Sequence, residues 1–167
     1  MQKFLTILIV VTAILVGCKK EDTATPKTKT ELITRKWQFQ GARVTLGTLP
    51  ITAYTRGATT GNVVDFSASY MDFKSGGGFS QVVLPGTSMT GTWKFNSTET
   101  AFTVTSSGGS VDSWTIDKLT ETNLDFSRQI AANSTDPSDL SWLALIKSYG
   151  FSTAAGAKIE VQTVPAP

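Results

Sequence analysis

Residues 91–126 read GTWKFNSTETAFTVTSSGGSVDSWTIDKLTETNLDF. Apolar side chains recur at every second position: Trp93 and Phe95, Phe102 and Val104, Trp114 and Ile116, Leu124 and Phe126. A period of two places each pair on one face of an extended strand. Between the pairs lie Asn96–Thr100, Ser106–Gly109 and Thr120–Asn123, short clusters of Asn, Ser, Thr and Gly that turn the chain. The stretch therefore predicts four consecutive strands, Thr90–Phe95, Ala101–Thr105, Val111–Leu119 and Leu124–Gln129, joined by tight turns.

The same pattern extends in both directions. Upstream, Ser69–Lys74 carries Met71 and Phe73 on one face, Ser75–Gly78 is a Gly-rich turn, and Phe79–Leu84 reads as the next strand, broken by Pro85-Gly86. Lys36–Gln40 opens the series with Trp37 and Phe39 on one side, after a short helical turn at Thr30–Arg35. Leu46–Asn62, rich in Gly and Thr, reads as a long loop. Downstream, Asp136 is a good N-cap, Pro137 suits the first helical position, and Asp139 complements the positive helix end. That helix runs to Tyr149, with Gly150 closing it, and Lys158–Val164 is the last strand. Eight strands with short turns predict an all-β fold, an eight-stranded up-and-down antiparallel barrel with one short helix before the last strand.

The N-terminus follows a different logic. Lys3 precedes Phe4–Val16, an apolar run interrupted only by Thr6 and Thr12. As a helix it would span roughly 20 Å, short of the ~30 Å hydrocarbon core, so it reads as a secretory signal rather than a permanent span. Leu15-Val16-Gly17-Cys18 resembles the lipobox of bacterial lipoproteins. The resemblance implies cleavage before Cys18, lipidation of its sulfur and acylation of its amine, and a multiply acylated terminus anchors stably. The expected organisation is 1–17 signal peptide, 18–29 acylated flexible tether and 30–167 barrel domain. Lys19, where a retained lipoprotein would carry Asp, points to the outer membrane. Lys20-Glu21-Asp22 resembles the surface-export signal of the Bacteroidota, leaving a periplasmic face and the cell surface both open. Asp22-Thr23-Ala24 also fits a short O-glycosylation pattern of that phylum.

The chemistry expected is narrow. The chain has no histidine and one cysteine, and lipidation would consume that cysteine. General base, thiol nucleophile, disulfide and the common metal ligands are thereby removed. No Gly-rich phosphate loop, Gly-X-Ser-X-Gly elbow or Ser-X-X-Lys pair occurs. Asp65, Asp72, Asp112, Asp117 and Asp125 lie near strands at polar positions that usually face solvent, and a helix cap explains Asp136, Ser138 and Asp139 better than calcium does. Charges nearly cancel, at a net +2, with no basic stripe suited to nucleic acid. The expectation is a protein that is not an enzyme and holds no cofactor or metal.

Leu32…Trp37, Met71-Asp72-Phe73…Gly78-Phe79, Gly91-Thr92-Trp93 and Trp114-Thr115-Ile116…Leu119, with the closing strand, resemble the lipocalin-like lipoproteins of the Bacteroidota. The likeness covers roughly residues 32–167. It departs from true lipocalins in lacking Gly-X-Trp on the first strand, where Arg35-Lys36 precede Trp37. The resemblance implies a lipid-anchored binding barrel.

In such a barrel successive connections alternate between the ends, which puts the long segments Leu46–Asn62 and Ile130–Ala157 at one mouth. Tyr54, Arg56, Arg128, Trp142 and Tyr149 are the candidate ligand-binding residues there. Docking of the helix would equally account for Trp142 and Tyr149, and a solvated loop for Tyr54 and Arg56. The expected partners are the membrane through Cys18, and a small apolar ligand in the lumen or a glycan on the loops. The alternative is a filled barrel meeting an envelope protein through its loops. An apolar void of about 300 Å³ or more would favour the lumen. Trp37, Phe39, Phe73, Phe79, Trp93, Phe95, Trp114 and Phe126, all on inward positions, would instead fill it.

Overall fold

The structure, a computed structural model, describes residues 25–84 and 87–167. The expected signal segment, Cys18 and the tether up to residue 24 lie outside the described residues.

Nine strands form one antiparallel sheet: β1 (Lys36–Leu46), β2 (Leu49–Thr55), β3 (Tyr70–Phe73), β4 (Gly78–Val82), β5 (Ser88–Phe95), β6 (Ala101–Ser106), β7 (Val111–Leu119), β8 (Leu124–Ile130) and β9 (Ala157–Pro165). Each of β3 to β8 pairs with the next, and β9 returns to β1, which closes an eight-stranded barrel with β2 as an additional strand on β1. Two helices flank it, α1 (Lys29–Ile33) and α2 (Pro137–Ser148). The fold class read from the alternating pattern is the one observed.

The expectation for Leu46–Asn62 is corrected. Leu46 to Leu49 is a tight hairpin turn, and Leu49–Thr55 is β2, paired with the upper half of β1 from Leu46↔Leu49 to Gly41↔Thr55. The lower half of the same flank pairs with β3, from Lys36↔Asp72 to Gln38↔Tyr70. Both β2 and β3 run opposite to β1, so they act as one descending strand interrupted by an excursion over 56–69. This keeps the alternation of ends intact. Gly47-Thr48, 83–84 with 87, 107–110 and the α2 segment 131–156 lie at one end, the mouth. The turns at 74–77, 96–100 and 120–123 lie at the other, the base, with α1. Threonine and proline at the hairpin hid β2, because Pro50 on a strand argues against a central one; here it sits on the sheet edge.

β1 and β2 carry one bulge each. Gln40 is extra against β9, and Ala53 of β2 is extra against Ala42-Arg43. A bulge bends the strand and increases its twist, which the closing strand of a small barrel requires. At the base, Thr28 caps α1 in a reciprocal capping box with Glu31. The helix starts at Lys29, directly after this cap. Ile33 is fully buried and its carbonyl accepts from the Trp37 indole at 2.9 Å. Lys29 Nζ donates to the Glu99 carbonyl and Arg35 to that of Glu121, so α1 is fastened across the base turns.

The lower lumen is filled by aromatic rings in edge-to-face contact. Phe73 meets Phe79, Trp93 and Phe102 at 5.1, 5.4 and 5.2 Å between centroids. Phe102 leads to Phe126, Phe126 to Trp114, and Trp114 to Trp142 on α2. Trp93 is satisfied through its indole N–H on the Lys74 carbonyl.

Gly91 occupies an inward position between Met89 and Trp93, where β5 and β6 run so close that a Cβ would be driven into the Thr105 carbonyl. Overpacking of this kind costs about 1–3 kcal/mol. Gly91→Ala is expected to lower stability by that amount, read as a shifted urea midpoint at unchanged slope.

Candidate functional site

The mouth is spanned by α2. Asp136 caps it, accepting from the backbone N–H of Ser138 at 2.8 Å and of Asp139 at 3.1 Å, and Pro137 opens it. Gly150 leaves it with φ of 84°, the left-handed conformation that ends a helix. Its N-terminal end is held by Arg128. That residue follows Leu124 and Phe126 on the inward face of β8, and its guanidinium stands inside the rim. Arg128 bonds Asp112 of β7 through Nη1, Asp139 through Nε at 2.7 Å, and Asp136 through Nη2 at 3.5 Å. Ser138 Oγ donates to Asp112 Oδ1 at 2.7 Å, and the Trp142 indole N–H reaches Asp112 Oδ2 at 3.4 Å. The side chains of Arg128, Asp139 and Asp112 are 10%, 14% and 21% exposed. This is a half-sheltered network with one cation among three carboxylates.

The C-terminal half of α2 packs into the lumen. Leu143 and Ile146 are buried. Ile146, Trp142 and Tyr149 share a cavity of about 70 Å³ with Phe39, Val44 and Ile51, bounded only by apolar surface. That is well below the ~300 Å³ of a small-molecule pocket.

Larger spaces lie outside the lumen. A groove of about 600 Å³ runs between α2 and the rim of β4 to β7, lined by Gln81, Met89, Ser110, Asp112, Asp136 and Trp142 among others. A second lobe of about 260 Å³ continues it between α2 and the β4–β5 rim, sharing Gln81, Met89, Ser141 and Trp142. Gln81 and Met89 are on inward positions at the tops of β4 and β5, and their side chains meet at 3.9 Å from Nε2 to Sδ.

The five candidate residues separate into two places. Arg128 and Trp142 converge on Asp112, and Tyr149, the C-cap of the same helix, is 40% exposed. Tyr54 and Arg56 are at mid-height on the wall, where the 56–69 excursion begins. Tyr54 is buried edge-on against Phe66, which in turn contacts Phe39. Arg56 donates through Nε to the Phe39 carbonyl at 2.6 Å, and its Nη2 is buried without a partner among the described residues. Tyr54 also borders a polar cleft of about 360 Å³ on the outer wall, with Gln40, Arg43, Thr52, Glu160 and Gln162. The wall location follows from β2, which carries Tyr54 away from the mouth.

No family model, curated protein or solved structure matches this chain. The site is therefore read from its own geometry. Sequence reasoning missed Asp112, Gln81 and Met89. The parity signal was present: Asp112 stands two before Trp114, and Gln81 two after Phe79, which turns a polar residue inward near the rim.

Asp125, on the outer face of β8, has Oδ1 buried without a partner among the described residues, and burial pushes its carboxyl above the ordinary value of 3.8. The folded state then holds its proton to higher pH than the unfolded chain. Its contribution to stability is full below the ordinary value and is lost as pH rises through the raised one. Asp125→Asn is expected to raise the thermal midpoint at neutral pH and to leave it unchanged below about pH 3, where both chains are uncharged at this position. Thermal unfolding at the two pH values checks it.

Proposed function

We propose that this chain is a lipid-anchored, lipocalin-like binding protein of the bacterial outer membrane that takes its ligand at the mouth, in the groove beside α2. The observation that carries the reading is the contrast in space. The apolar cavity in the lumen measures about 70 Å³, whereas the groove offers about 600 Å³ with an indole, a thioether, an amide and hydroxyls along it. A drug-sized ligand needs roughly 300–1,000 Å³ with a few placed polar groups. The space thereby disfavours a small apolar molecule in the lumen and favours a ligand held in the groove at the mouth.

The lipobox at Leu15–Cys18 supports the anchor. The entry of the chain at the base supports its orientation. Lys27 pairs with Glu121 at 3.0 Å beside a base turn. A lipid on Cys18, seven residues before Thr25, would hold the base within about 25 Å of the bilayer and turn the mouth away from it. Metabolic labelling with radioactive palmitate tests the anchor: wild type is expected to be labelled and Cys18→Ser not. Mass spectrometry of small molecules released from native, membrane-extracted protein tests the ligand. A small molecule recovered from wild type and lost on Trp142→Ala supports the reading, and a chain that carries nothing and binds neither a glycan on an array nor a small amphiphilic molecule overturns it.

The filled lumen favours a second reading, an envelope interaction protein that contacts another protein through the mouth loops. Cross-linking in intact cells that captures one protein partner through Leu49 or Leu140, both exposed at the mouth, would favour it.

A further inference from the structure

We infer that the groove beside α2 selects a positively charged ligand, an organic ammonium carried on an apolar body. The inference rests on the reading of the mouth as the binding end and names the chemistry of its occupant.

The charge at the groove is one-sided. Its only charged lining residues are Asp112 and Asp136, and among the described residues no Lys or Arg lines either lobe. The counter-cation, Arg128, approaches from the barrel side and is divided among Asp112, Asp136 and Asp139. One guanidinium against three carboxylates leaves two excess formal negative charges, offset in part by the positive N-terminal end of α2 that Asp136 caps. Asp136 spends Oδ1 on the two cap N–H groups and Arg128, while its side chain is 55% exposed. Its Oδ2 has no protein partner among the described residues. A cation entering from solvent would therefore meet a carboxylate oxygen not already committed, with Asp112 behind it.

The rest of the lining suits an apolar body. Trp142 and Met89 are common to both lobes, so a flat or aliphatic group can lie across them while its charged end reaches Asp136. An indole face and a thioether also attract cations and their polarised N-methyl or methylene groups. Gln81, whose amide has the Met89 sulfur as its one side-chain partner among the described residues, supplies a hydrogen-bonding group midway. An anion of the same shape would face the excess carboxylates with no lining cation to receive it.

Three probes of one shape and different charge test this on the full chain: 2-phenylethylammonium, 2-phenylethanol and 3-phenylpropionate. Binding is followed by NMR at the Trp142 indole N–H and the Met89 methyl. The ammonium is expected to shift both resonances saturably, more tightly than the alcohol, and the anion to bind least. Asp136→Asn keeps the capping oxygen, since Asn caps as well as Asp, and removes the charge. It is expected to weaken the ammonium about two- to fivefold, the size of an exposed ion pair, without altering the alcohol. Equal binding of all three probes, tightest binding of the anion, or an ammonium affinity indifferent to Asp136→Asn would overturn the inference. A neutral saccharide that saturates the groove where the ammonium does not would overturn the charge selection alone and leave the mouth as the binding end. Failure of every probe and of the glycan array would remove both.

Discussion

Arg128→Met should destabilise the protein by about 3 kcal/mol and loosen α2 before the barrel itself opens. Removing one member of a buried ion pair costs about 3–5 kcal/mol, because the partner charges stay behind without compensation. The lower end applies here, since Asp112 and Asp139 retain 21% and 14% exposure and keep some hydration. Methionine is chosen because it preserves much of the arginine stem's volume. What it removes is the cation that holds Asp112 on β7 next to Asp139 on α2. Two carboxylates then face each other, and the helix is pushed off the rim at its N-terminal end. Denaturant unfolding measures the loss. Amide hydrogen exchange across Leu140–Ile146 locates it, with protection expected to fall there first while β6 and β7 remain protected. The triple variant Arg128→Met, Asp112→Asn, Asp139→Asn should recover part of the loss, because the stranded charges go with their partner. A cost below about 0.5 kcal/mol would show the network to be an exposed surface pair in effect.

Arg128 also marks where the sequence was legible and where it was not. The barrel could be read because β5 to β8 each place aromatic or branched residues at alternate positions, with turn clusters between them, and local pattern and tertiary role agree. The ends of α2 could be read because Asp136, Pro137 and Gly150 act through their own backbone. Arg128 could be placed on the inward face by parity with Phe126, but not paired. Its partners come from β7 and from a helix reached through a long connection, and contacts across such separations leave no local periodicity. β2 was lost for a different reason. It is an edge strand with Pro50 and two exposed threonines, Thr52 and Thr55, and one bulged residue breaks its alternation so that Ala53 and Tyr54 are both buried. A pattern of period two cannot survive an inserted residue, and Tyr54 and Arg56 were assigned to the mouth with it. The groove itself is a property of the space between α2 and the rim, which no single segment encodes.

The second large effect concerns the floor beneath that groove. Phe73→Ala is expected to cost about 3–5 kcal/mol, the range for truncating a buried phenylalanine. Phe73 is 1% exposed on the four-residue strand β3, and its ring is the meeting point of Phe79, Trp93 and Phe102. Each of those edge-to-face pairs contributes about 0.5–1.5 kcal/mol beyond area burial, so the loss should fall in the upper part of the range. The surroundings have little freedom to collapse into the space. Trp93 is tethered through its indole to the Lys74 carbonyl, Phe79 and Phe102 are fixed by opposing ladders, and α1 closes the base from below with Ile33. A dry cavity should therefore persist and bind benzene, as apolar cavities of such size do, raising the thermal midpoint of the variant and not of wild type. Phe73→Leu, which leaves most of the volume in place, should cost markedly less. A barrel built to carry cargo through its whole length would respond differently. Its lower lumen would already be solvent or ligand space, Phe73→Ala would be nearly neutral, and benzene would bind wild type as well. The two outcomes separate a filled cylinder that works through its rim from a container that works through its lumen.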